Sequence, residues 1–451
     1  MLSTTRFNVI IASIVATASF TYGFGFASFA TAIGQPGFYE YFQLPTKGPG
    51  ATHTNSIIGT INALFFSGAV IGACSIGPLA DRYGRRKSLV LGALVSAFGA
   101  ALTAGSQSVS MLLVARIIQG AGLGSLACLS PTYLTEISTP QKRGMVTGMH
   151  GIFLVFGYNV SAWVGFACHF SSNFNFGFRG PLGFTALPAV LLAIGCLWIP
   201  ESPRWLLARG LPDEARLVLQ RLHTREGDSD KRGFELEVAR LEKQVALETK
   251  IPGGYRIIFQ TAAYRRRALL SCFIQFAANA SGALFISYYS VLIYQNLGLD
   301  GYIPLLMYCI FTLVGAIGNV VSALFIDRLG RRPSLIIGFA GCLIAISIET
   351  AMIAEFIEGP IKSATGQRIA LVAIFVLFYG AFIDAASFVY SAEIYPTNIR
   401  SRGVALATCT YFIACIIFVT PGATAIATIG WKYFLVFIVL TIAAIAILCK
   451  A

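Results

Sequence analysis

The apolar residues of this chain fall in twelve long blocks separated by polar gaps. Each block is close to the roughly 20 residues that a helix needs to cross a hydrocarbon core. They centre on Ile14, Phe66, Ala97, Gly122, Phe156, Leu191, Ser281, Ala316, Cys342, Tyr379, Ile413 and Ile438. The expected fold class is therefore an all-α integral membrane protein with twelve transmembrane helices. The first block resembles a signal peptide only superficially. It is long and lacks a small-residue cleavage site before the next span, so it is read as helix one.

Composition supports the same solvent. Of 451 residues, 56% are hydrophobic and 12% charged, with a mean hydropathy of +0.72, against about 25% charged for a soluble domain. The net charge of +13 would suggest nucleic acid in a soluble protein. Here the basic residues occupy alternate gaps. Arg82, Lys87, Lys142, Arg328, Arg402 and the segment 201–267 would share one side, and the opposite gaps hold few cations, such as Lys47, Arg179 and Lys432. The positive-inside rule makes the rich side cytoplasmic, with both termini there, and no nucleic-acid partner is expected. The ten cysteines lie almost all in apolar blocks without metal-type spacing, which predicts free thiols and no metal site.

One string occurs twice, Asp81-Arg82-Tyr83-Gly84-Arg85-Arg86 and Asp327-Arg328-Leu329-Gly330-Arg331-Arg332, 246 residues apart. A parallel repeat of this kind predicts two pseudo-symmetric six-helix bundles around a central site. The expected division is an N-terminal bundle over 1–200, a cytoplasmic linker with short helices over 201–267, and a C-terminal bundle over 268–451. The linker ends on Arg265-Arg266-Arg267, suited to anionic headgroups or to stopping transfer. Glycines such as Gly120, Gly122 and Gly124 fit close helix packing.

Charged residues at the cytoplasmic helix ends recur in a fixed pattern. Glu136 precedes Arg143 at the spacing by which Glu393 precedes Arg400, and Asp81, Arg85, Arg86, Asp327, Arg331 and Arg332 come from the repeated string. With Glu201 and Arg204, these form a candidate cytoplasmic gate. Such pairs hold one of two states by a few kcal/mol at most, which suits a switch; ordinary topology-setting loop charge is the simpler alternative.

These strings, with Ala115-Arg116-Ile117-Ile118-Gln119-Gly120, Pro200-Glu201-Ser202-Pro203-Arg204-Trp205, Ser281-Gly282 before Tyr288-Tyr289-Ser290, and Glu393-Ile394-Tyr395-Pro396, resemble the sugar porter branch of the major facilitator superfamily over nearly the whole chain. Gly34-Gln35-Pro36, Asp384-Ala385-Ala386 and Ile429-Gly430-Trp431-Lys432-Tyr433 look most like fungal members. The resemblance implies a monosaccharide or polyol held near the midplane, alternating access and no covalent chemistry. The chain departs from the family's usual hydroxyl-binding set. It has Gly151, Ala278-Asn279, Leu284, Phe388 and Tyr411 at positions where the family usually has Gln, a Gln pair, Asn, Trp and Asn. The string Pro-Glu-Thr-Lys-Gly that usually follows helix twelve is also absent.

Each hydroxyl taken from water needs a new partner, at a cost of about 1 to 3 kcal/mol if unmet. Gln275 and Asn279 share a helix face with Tyr289 beyond them, and with Tyr288 they are candidate substrate contacts; interhelix bonding is the other use of the same amides. His150 and the ring of Phe388 are further candidates. Arg116 and Asp384 are the two ionisable groups expected deep in the bilayer, where neither should face lipid. Proton-coupled relatives carry an acid in helix one where this chain has Gly25. A facilitator is therefore placed ahead of a symporter, with Asp384 the candidate carrier should a proton be the coupling ion. No other cofactor is expected.

A non-transporting nutrient receptor would be expected to signal through a long tail, and the sequence ends at Lys450-Ala451, just after helix twelve. No nucleophile, base and orienting group occur at motif spacing, and no phosphate-cradling loop follows a strand, so neither an enzyme nor an ATP-driven pump is expected. A monomer in the plasma membrane is the expected form. The substrate remains open among hexose, pentose, polyol and sugar acid, the last because Arg116 could attract a carboxylate.

Overall fold

The structure is a computed structural model that describes residues 6–450 apart from 49, 139–142, 224–230, 250–255, 297, 357–371 and 396–398. Twelve helices among the described residues are long and apolar enough to cross a membrane. They are α1 (Phe7–Ala32), α2 (Ala51–Tyr83), α3 (Arg85–Ala104), α4 (Val109–Ile137), α5 (Gly148–His169), α6 (Phe174–Gly195), α7 (Ala262–Gln295), α8 (Ile303–Ser322), α9 (Arg331–Ala354), α10 (Val372–Ser391), α11 (Arg402–Thr428) and α12 (Lys432–Cys449). Each contains the centre predicted from its apolar block. The protein is a multi-pass, all-α membrane protein of two six-helix bundles, α1–α6 and α7–α12. Between the bundles run shorter helices at Pro203–Ala208, Pro212–His223, Lys231–Thr249 and Arg256–Gln260.

Lipid gives helices no hydrophobic reason to associate, so contact depends on close approach. The α2–α4 seam illustrates this. A Cβ on Gly120 would stand 2.0 Å from the Phe65 carbonyl oxygen, and one on Gly72 would stand 2.0 Å from that of Ala121. Gly68 and Gly124 meet the opposing backbone in the same way. The two backbones therefore touch, and dispersion between them replaces side-chain interdigitation.

Two spans are interrupted. α7 breaks at Ser281-Gly282 into Ala262–Ala280 and a second helix, Ala283–Asn296. α10 contains a π-helical turn, Tyr379–Asp384, which places Asp384 at the junction with the following α-helix. Irregular turns of this kind are frequent at functional sites.

The molecule has a motif face, carrying both repeated strings, and an opposite face. At the opposite face the bundles meet closely. Gln295 donates to the Gly34 carbonyl at 3.3 Å, a Cβ on Gly59 would lie 2.3 Å from the Thr420 carbonyl oxygen, and Phe166 and Phe170 pack on Tyr302. Nearer the motif face a cleft of about 740 Å³, counted to its open mouth, lies between α2, α4 and α11, with Pro78, Asp81, Leu129 and Arg402 on its walls. All ten cysteines are free, and Cys74 and Cys449 are exposed.

Replacing Gly120 with Leu drives a side chain into the Phe65 backbone, which cannot yield as a flexible side chain would. The melting temperature in detergent should drop, by an amount corresponding to about 1–3 kcal/mol or more. Gly148→Ala, where no atom lies within 4 Å, serves as the control and should leave it unchanged. Equal melting of the two variants would show that α2 and α4 are not in backbone contact.

Candidate functional site

At the motif face the two repeats build the same clamp twice. Arg85 on α3 grips Glu136 at the end of α4 with Nε to Oε2 and Nη2 to Oε1, both 3.0 Å. Arg331, 246 positions later, grips Glu393 after α10 with the same atoms, both 3.1 Å. The last arginine of each string also has a repeated role. Arg86 donates to the Leu197 carbonyl beyond α6 at 3.0 Å, and Arg332 to those of Leu448 and Cys449 at the end of α12, at 3.0 and 2.8 Å. Guanidinium groups here satisfy carbonyls left open at a helix C-terminus and meet its negative dipole end.

The turn that allows this is set by glycine. Gly84 at φ +96 and Gly330 at φ +82 sit between consecutive helices in a conformation that side-chained residues rarely adopt. A Cβ on Gly84 would also fall 2.3 Å from a Glu201 oxygen. That carboxylate accepts from the backbone N–H of Arg85 at 2.7 Å, of Arg86 at 3.2 Å and of Ser202 at 3.0 Å, and so caps α3. Asp81 accepts from Arg85 Nη1 at 3.2 Å. Arg204 is half-buried in the short helix behind Glu201. The side chains of Arg143, Asp327 and Arg400 lie outside the described residues. Every ion pair among the described gate residues stays within one bundle.

In the interior, aromatic rings join the bundles. Tyr288 of α7 meets Phe26 edge-on at 4.7 Å and Phe66 at 5.6 Å, and Tyr22 of α1 meets Phe412 of α11 at 6.0 Å. Tyr289 is buried, donating to the Val419 carbonyl at 2.9 Å and accepting from Asn62 at 3.2 Å. The ring of His150 stands 6.0 Å from that of Phe388, and its Nδ1 is 2.7 Å from the Ser19 hydroxyl, which in turn bonds Ser130. Asp384 is half-buried and accepts from Asn319 at 3.1 Å. Among the described residues no cation pairs with it.

Gln275 donates to Ser391 at 3.4 Å. The Asn279 amide donates to the Gln275 carbonyl at 3.0 Å and to that of Tyr411 at 3.4 Å, and its oxygen faces Cys415. In this arrangement both amides connect helices of the second bundle. Arg116 is fully buried, its Cζ 4.5 Å from the Phe29 ring centre and 4.1 Å from that of Phe65, with Nη1 donating to Gln119 at 2.8 Å.

Gln275, Asn279, Tyr288, Tyr289 and Arg116 are thus shut from both faces. The structure adds groups that sequence reasoning passed over. Glu349 on α9 is a further acid within a span, buried beside Ile293, Val372 and Phe375. Asn159 on α5 bonds Thr312 on α8 across the bundles at 3.2 Å. An isolated Asn or Glu inside an apolar block was the available signal for Asn62, Asn159, Asn319 and Glu349.

The sequence model of the "Sugar (and other) transporter" family matches residues 11–451. The chain belongs to that family. Among its relatives, the MFS-type transporter criB of Aspergillus cristatus is 31% identical over 87% of this chain and 82% of its own length. A high-affinity glucose transporter of Kluyveromyces lactis is 27% identical over 97% and 81%. The structure of the proton:xylose symporter XylE bound to 6-bromo-6-deoxy-D-glucose superposes with a TM-score of 0.84 at 21% identity, covering 99% of this chain and 96% of that one. That likeness gives this family member the major facilitator fold.

The two clamps share geometry but not burial. Side-chain exposure is 10% and 5% for Arg85 and Glu136, against 25% and 56% for Arg331 and Glu393. Glu136→Gln should therefore destabilise by about 3 kcal/mol, because it leaves the buried guanidinium only the more exposed Asp81 as counter-charge. Glu393→Gln should cost under about 1 kcal/mol. Chemical unfolding of the two variants in detergent checks this, and equal losses would contradict it.

Proposed function

We propose that this protein carries a monosaccharide or a related polyol across the membrane by alternating access. The observation that supports this most directly is the pair of matching clamps, each confined to its own bundle. Two rigid bodies so built can rock about the aromatic layer while their internal ion pairs stay made. The occluded polar groups between them then face one compartment at a time. Relatives named as a high-affinity glucose transporter, an arabinose-proton symporter and a D-xylose transporter support the substrate class. The excess of cations at the motif face supports a cytoplasmic placement of that face and of both termini. The plasma membrane and a monomer complete the reading.

Facilitated movement down a gradient is the first mechanism proposed. Proton symport is the second, and one observation favours it: Asp384 has a hydrogen bond from Asn319 and no cation among the described residues. A carboxylate so placed is costly in its charged form and could exchange a proton with each cycle. In cells expressing the chain, symport would give substrate-driven alkalinisation of the medium, and Asp384→Asn should abolish it while keeping counterflow. Uptake by the unmutated protein without alkalinisation would remove symport.

Rocking requires the opposite face to close. Gly59→Trp places an indole against the Thr420 backbone and should hold that face apart, cutting uptake of radiolabelled glucose, xylose or arabinose at least tenfold with normal surface expression. Undiminished uptake would contradict closure through α2 and α11.

A further inference from the structure

Among the described residues the guanidinium of Arg116 has no counter-charge. Its Nη1 is used by Gln119, but Nε and Nη2 have no hydrogen-bond partner, and neither does Gln119 Nε2. The Tyr288 hydroxyl interacts electrostatically with the guanidinium but makes no hydrogen bond of acceptable geometry. The surrounding side chains come from α1, α2, α4 and α7. In those four spans the only acids are Asp81 and Glu136. Both are committed to Arg85. Glu136 also lies twenty residues further along α4, about 30 Å away at 1.5 Å per residue. Asp384 is bonded to Asn319 on another helix.

The unused atoms are the informative ones. Nε and Nη2 form the edge of a guanidinium whose two N–H bonds point the same way, matching the two oxygens of a carboxylate. This chain uses that edge twice, Arg85 on Glu136 and Arg331 on Glu393, with every distance between 3.0 and 3.1 Å. At Arg116 the same edge is buried and, among the described residues, makes no hydrogen bond to the protein. An isolated charge at that depth is expensive, and one carboxylate would neutralise it without leaving excess charge, as a phosphate dianion would.

We propose that the substrate supplies this carboxylate, so that the transported molecule is a monocarboxylic sugar acid, gripped by Arg116 Nε and Nη2 with Gln119 Nε2 as a further donor. The proposal rests on the carrier reading above. It places acid recognition in the first bundle, while Tyr288 of the second bundle closes over the same group. Binding the acid and drawing the bundles together are then one event.

Gluconate and glucitol test it, because they share a carbon skeleton and differ at one end, carboxylate against hydroxymethyl. Purified full-length protein in detergent should melt several degrees higher in millimolar gluconate than in glucitol or in equimolar chloride. Proteoliposomes should take up labelled gluconate, glucuronate or galacturonate saturably, and Arg116→Gln should reduce that uptake at least tenfold. Should Arg116→Gln not fold, the thermal shift of the unmutated protein decides alone. Uptake of glucose or glucitol with no uptake and no thermal shift from any of the acids would overturn the carboxylate site and leave the carrier reading standing. A shift from chloride equal to that from gluconate would also overturn it. Vesicles impermeable to every neutral and acidic solute would remove the carrier reading itself.

Discussion

Inside a bilayer no water is available to satisfy a polar group, so each one must find a partner in the protein or be left at a cost. That constraint orders this molecule. Its backbone is helical throughout the spans because a helix satisfies its own carbonyls and N–H groups. Where the helices are irregular, at Ser281-Gly282 and at the π-turn Tyr379–Asp384, the change is packed against neighbouring helices of the second bundle, Gly282 on Phe437 and Gly380 on Gly315 and Asn319. The charged residues obey the same rule. Most gather at the motif face, where water and opposing charges are both available, and Arg116, Glu349 and Asp384 stand out because they lie within the spans.

The clamps show how duplication and divergence act on one geometry. Arg85 with Glu136 and Arg331 with Glu393 are alike in kind, each a two-point grip tying the third helix of a bundle to the motif-face end of its fourth. Burial separates them, since the first pair is largely desolvated and the second is wet. Coulomb attraction is strong only where solvent is excluded. The first bundle is further tied at its motif face by Glu201, which caps the start of α3.

Several features were legible before any coordinates. The twelve spans follow from block length alone, and the two-bundle arrangement follows from a repeated string of unusual composition. The members of the two clamps were also visible as charges at recurring helix ends. Their partners were not. Glu136 and Arg143 share a spacing with Glu393 and Arg400, yet the groups that hold the two acids come from the repeated strings, 51 and 62 residues away. Gln275 and Asn279 were legible as polar residues on one helical face, but the amides are turned toward Ser391 and Tyr411. Which way an amide points depends on the neighbouring helix, and that neighbour is distant in sequence.

The sequence by itself determined the solvent, the number of spans and the duplication, because these depend on the length and spacing of apolar blocks and on nothing far away. It also determined that an arginine would lie deep in α4. Only the tertiary structure decided that this arginine is flanked by Phe29 and Phe65 and held at one corner by Gln119, with Nε and Nη2 making no hydrogen bond among the described residues. A missing counter-charge is a property of everything packed around a group, and helix packing brings those residues together from spans up to about 260 positions apart.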